Sequence, residues 1–344
     1  MTSLHSTQLS SETFSARRVF VADIGGTNAR FAITELTTGK VCFQQTYLTQ
    51  DFPTVEEAIA TFLKNAKAES VQNAGNFLQE ACFAVACPAN GDVIQFTNSH
   101  WYFSIRDLQQ TFSWKNFAVV NDIEAIAYNL PQLTLEETLA LDDNPNTQKR
   151  QKAVVAPGTG LGVAGLTVHK LHPIVIATES GHASFAPENE LEREIEKILS
   201  RKMQPVSYEE LLSGRGIENL YSAIAKVMDF DVKNLSAPEI TEGAVNNEQQ
   251  TQSVMQCYFE ILGSFCGNVA LMLGAEGGVY LAGGILPRVA DLLKQSTFKQ
   301  RFIQKYRFEG YLKPIPVVLM TSPLVGLLGA TRYLQYQEIQ EQNL

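Results

Sequence analysis

Val19–Ile33 reads VFVADIGGTNARFAI: two apolar runs on either side of Gly25-Gly26, with an acid closing the first run. Both runs are short, rich in β-branched and aromatic residues, and fit strands covered on both faces. The turn between them therefore joins strand to strand. Asp23, at the end of the first strand, carries a desolvation cost unless a cation or hydrogen-bond donors meet it. A turn without Cβ atoms lets a phosphate approach its amides, and successive amides form an anion cradle. Mg²⁺ takes few carboxylates together with phosphate oxygens. An ion held by Asp23 through water, beside a phosphate on Gly25-Gly26 and the Thr27 hydroxyl, would satisfy the acid. The plainer alternative is that Asp23 caps its own turn.

Two more apolar runs end in glycine turns, KAVVAPGTGLGVAGLTV from Lys152 and VYLAGGILPR from Val279. One such turn is ordinary, whereas three in one chain point toward phosphate binding. Gly160, Gly162 and Gly165 satisfy G-x-G-x-x-G, but a dinucleotide fingerprint must open a helix. Here VAGLTV follows, with β-branched residues and another glycine, and no strand ending in an acid comes at the required distance. A G-x-x-x-x-G-K-[ST] loop does not occur. Rossmann and P-loop topologies are both set aside.

The 344 residues exceed the size at which one core stops growing, which favours two domains. A formal charge of −9, from 27 Lys plus Arg against 36 Asp plus Glu, disfavours nucleic acid and anionic lipid as partners. The five cysteines lack C-x-x-C spacing, so a disulfide framework is not expected and a reducing, cytoplasmic setting fits. The most apolar window, from Ile261, is interrupted by Ser, Asn and Gly and reads as a buried helix. Residues 1–17, rich in Ser and Thr, read as a disordered tail.

Strand and helix patterns alternate along the chain. A helix is expected after Thr54, another opened by Ser104 with Asp107, and a strand-then-helix unit in FAVVNDIEAIAYNL from Phe117. The polar, turn-rich segment 131–151 reads as a border before a second α/β unit. PLVGLLGATRYLQY, from Pro323, reads as an amphipathic closing helix. In VSYEELLSG, Ser207 and Glu210 have capping-box spacing, which leaves Glu209 free.

DIGGTN (23–28), APGTGLG (156–162) and LAGGI (281–285) resemble, in that order, the two phosphate loops and the adenosine loop of the actin-like ATPase superfamily of sugar kinases and heat-shock chaperones. Within it, CPANGD (87–92), TNSHW (97–101), VNDIEAIA (120–127), ESGHASFAP (179–187), VSYEELLSGRGIENLY (206–221) and SPLVGLLGA (322–330) are similar to the bacterial-type glucokinase family. The resemblance implies a two-domain actin-like (ribonuclease H-like) α/β fold with an interdomain cleft. A small domain would comprise residues 18–132 plus 323–344, and a large one 133–322. It implies phosphorylation of glucose at the 6-hydroxyl by ATP. ATP would lie on Ala22, Asp23, Ile24, Gly25, Gly26, Thr27 and Asn28, on Gly158, Thr159 and Gly160, and on Gly283 and Gly284. Asp122 would take the proton from the sugar hydroxyl, and glucose would be bound by Asn121, Asp122, Glu179, His182, Glu209 and Asn98. Read alone, Asp122 is simply a good helix N-cap.

Relatives in the broader repressor and sugar-kinase group carry clustered cysteines for zinc after the histidine. HASFAPENE (182–190) has none, so structural zinc is not expected, while ATP and Mg²⁺ are. Arg215 and Ile217 vary the family's pattern, with no role assigned. A homodimer is implied by the family alone. The alternatives are a kinase for another hexose or phosphoryl donor, or a sugar-sensing protein that does not turn ligand over.

Overall fold

The computed structural model describes residues 17–68, 78–96, 98–144, 150–169 and 172–342. All of the expected tail except Arg17, and Thr97 of the TNSHW motif, lie outside the described residues. Arg17 itself is engaged, ion-paired to both Glu80 and Glu338.

The opening stretch forms a hairpin. β1 (Arg18–Ile24) pairs antiparallel with β2 (Asn28–Glu35), Ile24 opposite Ala29, and β3 (Val41–Leu48) extends the meander. β4 (Glu80–Val85) adds in parallel beside β1. β5 (Val93–Gln95) and β6 (Tyr102–Ser104) make a separate ribbon, and β7 (Asn116–Asn121) completes a five-stranded sheet of order β3-β2-β1-β4-β7.

The second half repeats this plan. β9 (Lys152–Pro157), β10 (Leu161–His169) and β11 (His172–Thr178) form an antiparallel meander. β12 (Val279–Leu281) and β13 (Val317–Met320) then add in parallel. β8 (Thr138–Ala140) caps the far edge, giving the order β11-β10-β9-β12-β13-β8. Residues 161–169 are thus a strand, as the exclusion of a dinucleotide fingerprint requires.

Each central strand is apolar on both faces because both are covered. On β1, Phe20, Ala22 and Ile24 face an outer core shared with α1 (Val55–Ala68) and α2 (Ile105–Thr111). Thr54 Oγ1 accepts from Glu57 N at 3.3 Å and Ser104 Oγ from Asp107 N at 3.1 Å, so both helices begin where the sequence places them. Val19 and Val21, at the alternate positions, face inward.

The second sheet's outer face is covered by α4 (Glu190–Leu199), α5 (Glu209–Leu212), α6 (Gly214–Val227), α7 (Ala237–Val245) and α8 (Gln249–Leu273), together with α9 (Ala290–Gln295), α10 (Phe298–Ile303) and α11 (Glu309–Leu312). Between the sheets lie two helices, one from each half of the chain, Asp122–Asn129 and Val325–Gln342. They are α3 and α12 in chain order and are called αM1 and αM2 below. Ala125, Leu327, Ala330 and Leu334 pack on Val19, Val21, Cys82 and Ala84 of the first sheet. Ile126, Ala127, Leu130 and Val325 pack on Val154, Ala156, Tyr280 and Val318 of the second. αM2 therefore departs from the expected amphipathic helix. Besides Leu327, Ala330 and Leu334 against the first sheet it buries Val325 against the second, as an inner layer must, and burying each such Leu contributes about 1.5–3 kcal/mol. αM1 and αM2 cross closely: a Cβ on Gly329 would sit 1.9 Å from the Ala125 carbonyl oxygen.

Candidate active site

β1 ends at the middle layer. Asp23 shares a strand face with Val19 and Val21, which brings it against the first turn of αM2, where a Cβ on Gly326 would be 3.0 Å from its Cγ. Asp23 is also the cross-strand partner of Arg30, whose Nη1 donates to its Oδ2 at 3.1 Å. The turn closes on its own backbone instead, Gly25 N donating to the Asn28 carbonyl at 2.9 Å, so Asp23 does not cap it. Burial pushes the Asp23 carboxyl above its ordinary range, against the opposing pull of Arg30.

β7 delivers the second acid. Asn121 is the N-cap of αM1, its Oδ1 accepting from Ile123 N at 2.9 Å, and its amide donates to the Cys87 carbonyl at 3.4 Å. Asp122, one residue on, also accepts from Ile123 N at 2.9 Å. Burial, then the charge of Asp23, pushes the Asp122 carboxyl up to about 7. Cys87 responds in turn, its thiol raised to about 11 by burial and by Asp122.

Magnitudes separate the two readings of Asp122. A helix cap is worth about 1 kcal/mol, and Asn121 already supplies one. Raising a carboxyl from 3.8 to about 7 disfavours its ionised form by roughly 4 kcal/mol. Stability alone does not account for this acid.

A second cluster gathers around β10. Glu209, at the start of α5, accepts from Leu161 N at 2.8 Å through Oε2, and its Oε1 lies 3.9 Å from His182 Nδ1. A Cβ on Gly160 would come within 2.7 Å of Glu209 Oε2, so the glycine turn and this carboxylate are in contact. Glu179 opens the single helical turn that carries His182, its carbonyl accepting from His182 N at 3.0 Å, and its side chain is exposed. The segments bearing these groups are cross-braced. Phe185 N donates to the Val206 carbonyl at 2.8 Å and Tyr208 N to the Ala183 carbonyl at 3.0 Å. Further on, Arg301 ties Glu188, Glu192 and Glu260 together, with Glu192 fully buried.

Glu210 differs from its expected capping role. Ser207 is held in a bridge with Ser184, Tyr208 precedes the helix without a side-chain cap, and Glu210 accepts from Asn219 Nδ2 at 3.2 Å. The non-local bridge outcompetes the local box.

The two clusters meet between the two sheets. Ile123, next to Asp122, seats on β10 so closely that a Cβ on Gly162 would lie 2.2 Å from its Cγ1. Asn98 abuts the first turn, its carbonyl 2.7 Å from where a Gly26 Cβ would be, and also lines the cleft with Gly158, Thr159 and Glu209. Gly283, at φ +92°, folds its loop onto the second turn, within 2.2 Å of the Pro157 carbonyl for a Cβ. Gly284 is exposed beside it, and Thr27 is exposed at the tip of the first turn. Ala22 and Ile24 point into the outer core, so only their backbones face the site.

The cleft itself, of about 550 Å³, is also walled by residues to which the sequence reading gave no role: Arg215, Ile217, Glu218, Pro238, Thr241, Ile285 and Arg288. Arg215 and Ile217 stand in the SGRGIENLY stretch already noted, but only the fold brings that stretch beside Gly158. Among the described residues no group of three or more His, Cys, Asp or Glu converges as a metal centre. Asp23 suits Mg²⁺ in a different way, as one carboxylate beside phosphate, and among the described residues Arg30 is the cation paired to it.

The glucokinase family model matches residues 20–337. A glucokinase of Pectobacterium atrosepticum is 38% identical over 318 residues, 92% of this chain and 97% of the relative. Among solved structures, a glucokinase from an Antarctic psychrotroph superposes with a TM-score of 0.82 at 32% identity, over 92% of this chain and 98% of that one. A glucokinase from Streptomyces griseus, solved with glucose and AMPPNP, shares the fold at a TM-score of 0.62 and 18% identity, over 92% and 98%. Among the described residues no helix is long and apolar enough to cross a membrane. With its repeated sheets, paired inner helices and glycine turns set around two facing acids, this chain belongs to the glucokinase family.

Proposed function

We propose that the protein transfers the γ-phosphoryl group of ATP to the 6-hydroxyl of glucose, with Asp122 as the general base. One observation carries the reading: a buried carboxyl poised at about 7, at the head of αM1 and seated against the second lobe. A base is most effective when its proton affinity lies near the working pH, and such catalysis contributes about 10²–10⁴ in rate.

Glucose lies among Asn121, Asp122, Glu179, His182, Glu209 and Asn98, whose acceptors and donors match a ring of hydroxyls. ATP lies along the 22–28 and 158–160 turns and the 283–284 turn. Amides of the two phosphate turns hold its oxygens, leaving little covalent chemistry for the protein to perform. Asp23 would hold Mg²⁺, through water, and the ion when bound would supply charge neutralisation at the phosphates. Before the ion binds, Asp23 raises the Asp122 carboxyl by like-charge repulsion, second to burial. The lobes, 18–132 with 323–344 and 133–322, close on the sugar and exclude water from the transferring group. The relatives' name, glucokinase, and the glucose and AMPPNP bound in the S. griseus structure support this assignment. The buried, unpaired thiols of Cys82, Cys87, Cys257 and Cys266 suit a reducing cytoplasm, and a homodimer belongs to the same proposal.

The test is purified protein with Mg-ATP and glucose, coupled through glucose-6-phosphate dehydrogenase to NADP reduction. Glucose-dependent NADPH formation is expected. ADP release with a different hexose alone would change the substrate, and no ADP release with any sugar would leave a binding protein in place of an enzyme.

A further inference from the structure

The cleft beside Gly158 and Thr159 treats its acids and its bases differently. Three carboxylates line it, and each already has a donor: Glu209 from Leu161 N at 2.8 Å, Glu210 from Asn219 Nδ2 at 3.2 Å and Glu218 from Ala237 N at 3.0 Å. Its two arginines, Arg215 and Arg288, are exposed, and neither guanidinium has a hydrogen bond or ion pair among the described residues. The carboxylates keep their charge but already have donors, whereas the two guanidiniums bring donors with no partner among the described residues, so the unsatisfied donors facing the cleft are those of the arginines.

Arg215 is the more telling of the two. It is the second residue of α6, where the aligned peptide dipoles present their positive end and a cation is mildly destabilising. An unpaired guanidinium at that position has no structural return. Its neighbour Gly214 donates N–H to the Gly158 carbonyl at 2.8 Å, so the Arg215 backbone is fixed against the second glycine turn. An anion resting on Gly158 and Thr159 would lie within one residue of this attachment and would offset the unfavourable dipole.

We propose that Arg215 binds the phosphate tail of the nucleotide and sets the preference of the cleft for di- and triphosphates over the bare nucleoside. This rests on the kinase reading of the cleft and assigns a residue that reading leaves without a role. A guanidinium pairs with phosphate through two parallel donors, which Lys reproduces only in part.

The experiment is calorimetric titration of the full chain with ATP, ADP and adenosine, for the wild type and for Arg215→Gln, Arg215→Lys and Arg288→Gln. Arg215→Gln is expected to weaken ATP and ADP by about tenfold or more and adenosine by less than about twofold, with Arg215→Lys recovering part of the loss. In steady state, the KM for ATP rises while the KM for glucose holds. ATP affinity within about twofold of wild type in Arg215→Gln, an equal loss for adenosine, or an equal loss in Arg288→Gln from the general field of the cleft would each overturn the proposal. A wild type that binds none of the three ligands would overturn the kinase reading as well, whereas normal wild-type binding with an indifferent Arg215→Gln overturns this inference alone.

Discussion

The first and second glycine turns occupy the same place in a repeated topology, between the first two strands of an antiparallel meander, yet they are held in opposite ways. The 25–28 turn is locked by its own lobe. Thr49 N and Oγ1 donate to the carbonyls of Thr27 and Gly26 at 2.9 and 2.8 Å, and Asn98 presses on Gly26. The 158–160 turn is open at Gly158, where a Cβ would meet nothing within 4 Å, and touches the site carboxylate Glu209 at Gly160. The strand before the first turn carries an acid, Asp23, where the strand before the second carries Ala156. One turn is built as a fixed wall with charge behind it. The other is coupled to the groups proposed to hold sugar.

That contrast can be broken, beginning with the acid pair. Asp122→Asn should lower kcat by about 10²–10⁴ with little change in the KM for either substrate, read in the coupled assay. Near-normal turnover would remove the base from Asp122.

The turns themselves come next. Gly26→Ala forces a methyl into the Asn98 backbone and is expected to cost about 1–3 kcal/mol in a denaturant titration. Gly158→Ala has room and should stay within about 0.5 kcal/mol of wild type while raising the KM for ATP. Equal stability losses would mean that the two turns are braced alike.

The smallest effect concerns pH. Asp122 acts when deprotonated, so kcat/KM should rise with pH and level off above about 7, the value to which burial and Asp23 push its carboxyl. Asp23→Asn removes the like charge, so the rising limb should move to lower pH even as kcat falls. A limb that stays in place would separate the two acids electrostatically.

Much of this was legible in the sequence for a physical reason. β1, β9 and β12 read as continuous apolar runs because both faces of each sheet are covered, and glycine turns between such runs leave few topologies open. What escaped depends on segments far apart in the chain. Ser207 and Glu210 have capping spacing, but Ser184 claims Ser207 from outside the local window. αM2 reads as one-faced because sequence cannot show a second sheet above it. Arg215 gains meaning only in a cleft assembled from residues near 98, 158, 209–218, 237 and 285.

The close crossing at Gly329 and Ala125 has a mechanical consequence. Among the described residues no strand passes from one sheet to the other, so a relative rotation of the two halves would be carried by the inner helix pair. With backbones touching at one point, that pair is a fulcrum, and its leading ends, Asp122 and the Gly326 turn against Asp23, are the tips of its levers. A small rotation at the crossing would change the separation of the two acids most and disturb the packed core least. A larger residue at 329 would move the pivot outward and dull that leverage, even in a protein that still folds.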